Sequence, residues 1–490
     1  MEYEVIVGLE VHAQLLTRSK MFCSCDAKYA DDPPNTHVCP VCLGMPGVLP
    51  VINRRAIEHT MMTALALNCQ IPEYTKFDRK NYSYPDLMKG YQISQYDAPI
   101  GMSGWMDVEV NGATRRIGIT RVHLEEDVAK LTHGTTQLGN NCSLVEVNRS
   151  GVPLMEIVSE PDMRSPEEAR AYLMKLRSIL CCLEVSTGNM EEGSFRCDAN
   201  ISVRPEGTIE YLSKVEVKNL NSFKAVYLAL EFEAQRQKKL IDQGAVTVQE
   251  TRGWLDEKGV TVVQRSKEYA HDYRYFPEPD LPPLTISREW VEQVRSLIPE
   301  LPEARRDRFV EQYGMSLYDA NLLVTTKEMA DLFEKTVTII KLSESDFRKQ
   351  AKLVANWLLG DFSKLLNATG TDISRTRITS RSLADLMMLI SKGSISGPTA
   401  KAVFEEMFNT GNAPTDIVVK KGLSQISDTS EIEQVVAKVI SDNPSAIADY
   451  RAGKQQAITF LLGQTMKATK GRASPLVAHK AIMDKLEENG

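Results

Sequence analysis

The sequence predicts an α+β protein, strand-rich in its N-terminal part and helical from there to the C-terminus. Three observations predict this. Alternation of apolar and polar residues, the mark of a half-buried strand, recurs through the first 280 or so residues. Pro277, Pro279, Pro282 and Pro283 then fall within seven residues, which reads as a rigid extended linker or domain edge. Beyond them the apolar spacing is helical, punctuated by Gly360, Gly370, Gly393, Gly411 and Gly422, with a second boundary near residue 410.

The first strand carries Val5, Val7, Leu9, Val11, Ala13 and Leu15 on one side, in strict alternation. Phe195, Cys197, Ala199 and Ile201 form another alternating set, and Val215 and Val217 flank Glu216 in the same way. Between them lies one clear helix. Ser165 is a good N-cap, Pro166 sits at the first helical position and Glu168 completes a capping box. Leu173, Leu176, Leu180 and Leu183 then keep helical spacing. There is no repeat of fixed period and no biased tract.

Composition sets the outer bounds. A chain of 490 residues suggests about three domains. Its 42% hydrophobic and 25% charged residues are ordinary for a soluble globular protein. A net charge of −7 excludes coating by nucleic acid through bulk charge, but not a local basic face. The longest uncharged stretch, Pro33 to Asn53, holds five prolines with Gly44 and Gly47, so no membrane helix is expected there. MEYEVIVGLEVH reads as neither a signal nor a transit peptide, and nine cysteines are too few for a disulfide scaffold. The expected compartment is a reducing cytoplasm, where clustered cysteines mean metal or catalysis more often than cross-links.

Cys23-Ser-Cys25 and Cys39-Pro-Val-Cys42 form such a cluster. Two close pairs joined by a Pro-rich loop can set four thiolates tetrahedrally around one structural zinc, although a redox pair or chance clustering gives the same pattern. His37 is a substitute ligand or a plain loop histidine.

The strands carry the other constellations. Glu10 and His12 share the polar side of the first strand and form a partial metal or acid/base site, or simply a wet face. Glu125, Glu126 and Asp127 are consecutive carboxylates, costly unless a cation balances them. The alternation slips between Ile119 and Val122, which leaves open whether Glu125 or Glu126 faces inward. Arg196, Asp198 and Asn200 share one face, as do Lys214, Glu216 and Lys218, followed by Asn221. Hard oxygen donors on several strands suit Mg²⁺ with phosphate oxygens better than a soft metal. No P-loop, G-x-G-x-x-G fingerprint or kinase signature set is present. In the tail, Arg451 to Met483 holds six basic residues (Arg451, Lys454, Lys467, Lys470, Arg472 and Lys480) and no acidic one. That pattern is either a solvated helix face or a contact for RNA phosphates.

VIVGLEVHAQL, FDRKNYSYPDL, KGYQISQYD, HLEED, MEIVSEPD, EEGSFRCDANISV, VEVKNLNSF and HDYRYFPEPDLPPL follow in order from residue 5 to residue 284. Together they resemble the B-subunit family of the aspartyl/glutamyl-tRNA amidotransferases, and the likeness continues into the helical half. The resemblance implies a catalytic cradle domain (1–292), a helical domain (293–408) and a helical tail domain contacting tRNA (409–490). It implies a ligase component that uses ATP and Mg²⁺ to phosphorylate the side-chain carboxylate of Glu-tRNA(Gln) or Asp-tRNA(Asn). Ammonia released by an amidase A subunit then displaces the phosphate, and a small C subunit completes a heterotrimer. No cysteine here sits in a glutaminase-nucleophile context, which agrees with that division. Neither membrane nor DNA is an expected partner.

By the same resemblance Glu10, His12 and one or both of Glu125 and Glu126 fall on the magnesium-binding cradle, with Glu216 joining the catalytic set. Asp198, Asn200, Lys218 and Asn221 sit in matching motifs for metal, phosphate or the aminoacyl end, and Arg196 and Lys89 offset phosphate charge. The cysteine quartet occurs in some members only, so its zinc would staple a loop. The alternatives are the archaeal relative specific for Glu-tRNA(Gln), disfavoured because the motifs run without a large insertion, and a non-catalytic tRNA-binding scaffold. A zinc-ribbon nucleic-acid module fits poorly with the net charge of −7.

Overall fold

The computed structural model describes residues 2–135, 141–208, 213–245, 247–266, 273–340, 344–423, 429–451, 454, 456–469, 472–473 and 475–488. Two compact units divide it, Met1–Pro302 and Glu303–Gly490. Among the described residues no helix is long and apolar enough to cross a membrane.

The first unit holds the strands. In chain order they are β1 (Tyr3–Gln14), β2 (Tyr74–Thr75), β3 (Asp78–Asn81), β4 (Tyr91–Ser94), β5 (Gly101–Val110), β6 (Ala113–Glu126), β7 (Lys130–Thr135), β8 (Asn141–Glu146), β9 (Pro153–Ser159), β10 (Phe195–Pro205), β11 (Val215–Lys218), β12 (Glu250–Leu255), β13 (Val260–Ser266), β14 (Phe276–Pro277) and β15 (Leu284–Thr285). Eleven of them form one sheet in the order β13-β12-β11-β10-β1-β9-β6-β4-β3-β14, with β5 also on β6. Its pairings are antiparallel except β11 with β12, so the α+β expectation of a mixed sheet followed by helices holds.

The alternation seen in the sequence decides which face is dry. Val5, Val7, Leu9, Val11 and Ala13 of β1 lie in the core with Cys197, Ala199 and Ile201 of β10 and Val215 and Val217 of β11. That face is covered by α1 (Arg54–Ala66), α2 (Pro166–Cys182) and α3 (Phe223–Asp242). In α2 the Ser165 hydroxyl accepts from the Glu168 N–H at 3.1 Å, as predicted. Glu168 also reaches back, but to the N–H of Arg164 at 2.7 Å rather than to that of Ser165. The slip in β6 is a bulge: its register against β9 shifts between Ile119 and Arg121. The extra residue lets Ile117 and Ile119, then Val122 and Leu124, all face the core.

His59 on α1 is buried, and its Nδ1 has no hydrogen-bond partner. Burial, helped by the Arg55 charge, pushes its imidazole down from 6.5 to about 4. The unfolded chain therefore binds this proton before the folded one does. Stability is full above pH 6.5 and falls as pH drops towards 4, by about 3 kcal/mol at most. The melting temperature of His59→Leu should accordingly fall less than that of the wild type between pH 7 and pH 4.5. Equal falls would assign the acid sensitivity to other groups.

The second unit is helical from Pro302–Tyr313 to Pro475–Glu488. One apolar cluster runs from Phe309 to Val418, and another from Ile432 to Leu486.

Candidate functional site

The polar face of the sheet gathers side chains from neighbouring strands by register. His12 on β1 lies opposite Glu156 on β9, and Glu156 lies opposite His123 on β6. On the other side of β1, His12 faces Arg196 and Glu10 faces Asp198 of β10. Residues two apart on a strand share a face, so Glu125 joins His123 on this side.

The contacts are close. His12 Nε2 stands 3.6 Å from Glu156 Oε2 and 3.7 Å from Glu125 Oε1, and His123 Nε2 is 3.2 Å from Glu156 Oε2. Burial alone would push the His12 imidazole down, but Glu156 and Glu125 carry it up to about 9. Burial likewise opposes ionisation of Glu156, and the two imidazoles hold its carboxyl well below the usual range. Three donor atoms from His12, Glu125 and Glu156 lie within 4.8 Å of one another, so they can hold a metal ion. Two carboxylates in that set favour a hard cation.

A second group adjoins it. Asn200 Nδ2 donates to Glu10 Oε1 at 2.9 Å. Lys218 Nζ donates to Asp198 at 2.8 Å and stands 3.1 Å from Glu216, whose other oxygen accepts from Thr251 at 2.8 Å. Burial would lower the Lys218 ammonium, but the Asp198 and Glu216 charges raise it above its ordinary value. A cavity of about 540 Å³ opens beside this group, lined by Gly8, Glu10, Ser159, Asn200, Ser202 and Lys214 among others. Asn221 is exposed, immediately before the N-cap of α3, and is not brought into the group.

The three consecutive carboxylates each have their own cation. Glu125 faces His12, as above. Glu126 turns to the other side of β6, pairs with Lys89 and accepts from the Ile93 N–H at 2.9 Å. Asp127 accepts from Arg196 at 3.0 Å and from Gln14 at 2.7 Å, with Arg149 at 3.6 Å. Burial opposes its ionisation, and Arg196 and Arg149 hold its carboxyl below the usual range. Of the two carboxylates expected singly or together on the magnesium-binding cradle, only Glu125 reaches His12, because successive strand residues point to opposite sides; Glu126 lies with Lys89, the expected phosphate-charge partner, away from that group. Arg196 is committed to Asp127, on the edge of the cluster.

Glu126 and Lys89 instead line a separate cavity of about 230 Å³ together with Cys23 and Cys42. The Sγ atoms of Cys23, Cys25, Cys39 and Cys42 all lie within 4.8 Å of one another, and those of Cys39 and Cys42 are 3.9 Å apart. Sulfurs at zinc-bond length around a tetrahedral centre are roughly 3.8 Å apart, so the four fit zinc. A hydrogen bond from Cys23, working against burial and helped by Lys20, holds the Cys42 thiol down at about 5. Gly44 is required where this loop meets Lys89: its φ is +68°, and an added Cβ would fall 2.3 Å from Lys89 Cγ. His37 turns away and pairs with Asp32 at 2.8 Å.

Of the basic tail residues, Lys467 and Lys480 are exposed and Lys454 pairs with Asp449 at 2.8 Å. Arg472 donates to the Thr469 carbonyl at 3.4 Å. Lys470 and the Arg451 side chain lie outside the described residues. Sequence reasoning missed Glu156, the centre of the row. Its signal was present, since it is the sole charge in the strand Pro153–Ser159, buried at both flanks.

Residues 5–292 match the family model described as GatB/GatE catalytic domain, and residues 331–486 match that described as GatB domain. The sheet with its carboxylate–imidazole row is therefore a catalytic domain of that class. The chain is 58% identical over 494 residues to a protein of Dehalococcoides mccartyi, with 99% of each covered. It is 52% identical over 485 residues to one of Carboxydothermus hydrogenoformans, again with 99% of each covered. With a protein of Thermomicrobium roseum it shares 53% identity over 488 residues, covering 100% of this chain and 99% of the relative. Each of the three relatives is named as the B subunit of an aspartyl/glutamyl-tRNA(Asn/Gln) amidotransferase. The chain belongs to this amidotransferase B-subunit family, whose enzymes are ligases.

Proposed function

We propose that this chain is the component that phosphorylates the side-chain carboxylate of Glu-tRNA(Gln), Asp-tRNA(Asn) or both, using ATP, before ammonia forms the amide. The observation that carries the reading is the group of half-buried His12 with buried Glu125 and Glu156, with Glu10 and Asp198 beside it. A free carboxylate resists ammonia because oxide is a poor leaving group, and phosphorylation makes phosphate the leaving group. Mg²⁺ held by His12, Glu125 and Glu156, with Glu10 adjacent, would neutralise phosphoryl charge. Lys218, steered by Asp198 and Glu216, supplies a fixed positive charge on the same face. Asn200 orients the Glu10 carboxylate. The 540 Å³ cavity beside Glu10 has room for the nucleotide.

The partners in this reading are an amidase A subunit and a small C subunit, acting together in the cytoplasm. Residues 1–292 form the catalytic cradle, 293–408 the helical domain and 409–490 the tail. Lys467, Arg472 and Lys480, with Arg451, Lys454 and Lys470, contact tRNA phosphates. The cysteine quartet holds a structural zinc.

The test is ATP cleavage by the assembled enzyme with and without Glu-tRNA(Gln). With glutamine supplied as the ammonia source, ADP and phosphate should form only with charged tRNA, the phosphate leaving as ammonia forms the amide, and both should disappear in Glu10→Ala and His12→Ala. Lys467→Glu with Arg472→Glu should raise the KM for tRNA and leave that for ATP unchanged. AMP as product would mean adenylation, and no cleavage would mean a scaffold; either result overturns the reading.

A further inference from the structure

Two tyrosines lie flat against each other at the far arm of the polar face. The Tyr96 and Tyr275 rings are 4.2 Å apart between centroids and inclined by 11°. Both backbones are pinned to β3. The Tyr96 N–H donates to Asp78 Oδ2 at 3.1 Å. Tyr275 directly precedes β14, whose Phe276 and Pro277 pair with Arg79 and Asp78. The Asn81 N–H and side-chain amide hold the Tyr273 and Arg274 carbonyls, each at 2.9 Å.

The stack continues into a wall. Tyr273 meets Tyr275 edge-on at 6.1 Å and Tyr82 at 5.7 Å. Lys80 Nζ sits over the Tyr273 and Tyr82 rings at 5.0 and 5.8 Å. Burial works against the Lys80 charge, and Glu125 and Glu156 sustain it; the same two carboxylates act on Tyr275. The wall borders the carboxylate–imidazole group by register: Ser94, two residues before Tyr96, pairs with Glu125 across β4 and β6, and its hydroxyl donates to that carboxylate at 3.4 Å. Tyr96 is 58% exposed, so its ring is not spent on the core. An accessible aromatic stack beside a fixed cation is the composition that holds a nucleobase and its phosphate.

Which base it takes follows from the sheet order. The 540 Å³ cavity lies on β10, β1 and β9, whereas the tyrosines lie beyond β6, next to β4, β3 and β14. The reacting group between them must be approached from two sides, by the nucleotide and by the aminoacyl ester. The ester is carried on the terminal adenosine of the tRNA, so that adenine must rest within one nucleotide of the row. We propose that the Tyr96–Tyr275 stack is the platform for the terminal adenine of the charged tRNA. The proposal rests on the phosphorylation reading above.

The test uses the assembled enzyme and tRNA carrying 2-aminopurine in place of its terminal adenine, without ATP. Stacking should quench the fluorescence on the wild type and on Tyr96→Phe and Tyr275→Phe, and the quenching should be lost in Tyr96→Ala and Tyr275→Ala. The KM for Glu-tRNA should rise about 10-fold in the alanine variants, with the KM for ATP unchanged. Unquenched fluorescence on wild-type enzyme saturated with tRNA overturns the proposal. So does a rise in the KM for ATP in place of that for tRNA, which would give the platform to the nucleotide. Quenching by an enzyme that never cleaves ATP would support the platform and sink the phosphorylation reading instead.

Discussion

Glu156→Gln should lower tRNA-dependent ATP cleavage about 100- to 1,000-fold and raise the Mg²⁺ concentration needed for half-maximal rate. The magnitude is that of removing one electrostatic partner from a developing phosphoryl charge. The substitution changes charge and hardly shape. Glu156 is central to the buried row and is flanked by both imidazoles, at 3.6 and 3.2 Å. Glutamine keeps the volume and one acceptor oxygen, so β1, β9 and β6 should pair as before. What disappears is the second carboxylate of the three-donor group. A far-ultraviolet spectrum and melting temperature close to wild type, with the rate lost, would place the effect at the site. A rate and Mg²⁺ dependence within twofold of wild type would make Glu156 a structural counter-ion for His12 and His123.

How much of this was legible beforehand follows from what periodicity can see. Alternation in β1, β10 and β11 separates wet from dry faces, so Glu10, His12, Arg196, Asp198, Asn200, Glu216 and Lys218 could all be assigned to polar sides. It carries no information on which strands are neighbours. Glu156 is the consequence. Its strand is buried along almost its whole length and offers no alternation, and only pairing with both β1 and β6 turns a lone glutamate into the hub of a row. The bulge in β6 hid the choice between Glu125 and Glu126 for a related reason, because a single extra residue inverts the face of everything after it. Charge reasoning fared better there. Three adjacent carboxylates demanded cations, and the fold supplies His12, Lys89 and Arg196 from three different segments.

Cys42→Ser should remove zinc from the protein and open the loop around it, with a smaller effect on ATP cleavage than Glu156→Gln has. Wild-type protein purified under reducing conditions should carry one zinc per chain, and the variant none. Structural zinc contributes on the order of 10 kcal/mol to folding where it is the main organiser of a small module. Here the loop has other anchors. Lys20 Nζ donates to the His37 carbonyl at 2.7 Å, Asn148 holds both the Pro33 carbonyl and the His37 N–H, and Asn53 caps α1. The sheet core also lies elsewhere, so the expected change is local. Protease cleavage between Cys23 and Pro50 should become at least about 10-fold faster, since cleavage follows the population of the open form. Global melting should shift little. The coupling to chemistry runs through the Lys89–Glu126 pair, which shares its cavity with Cys23 and Cys42 but faces away from His12. An opened loop therefore loosens the back of β6 without removing a donor from the row. If wild-type protein carries no zinc, the four thiols are not a metal site; if Cys42→Ser abolishes ATP cleavage while the loop stays closed to protease, the quartet belongs to the chemistry and not to the scaffold.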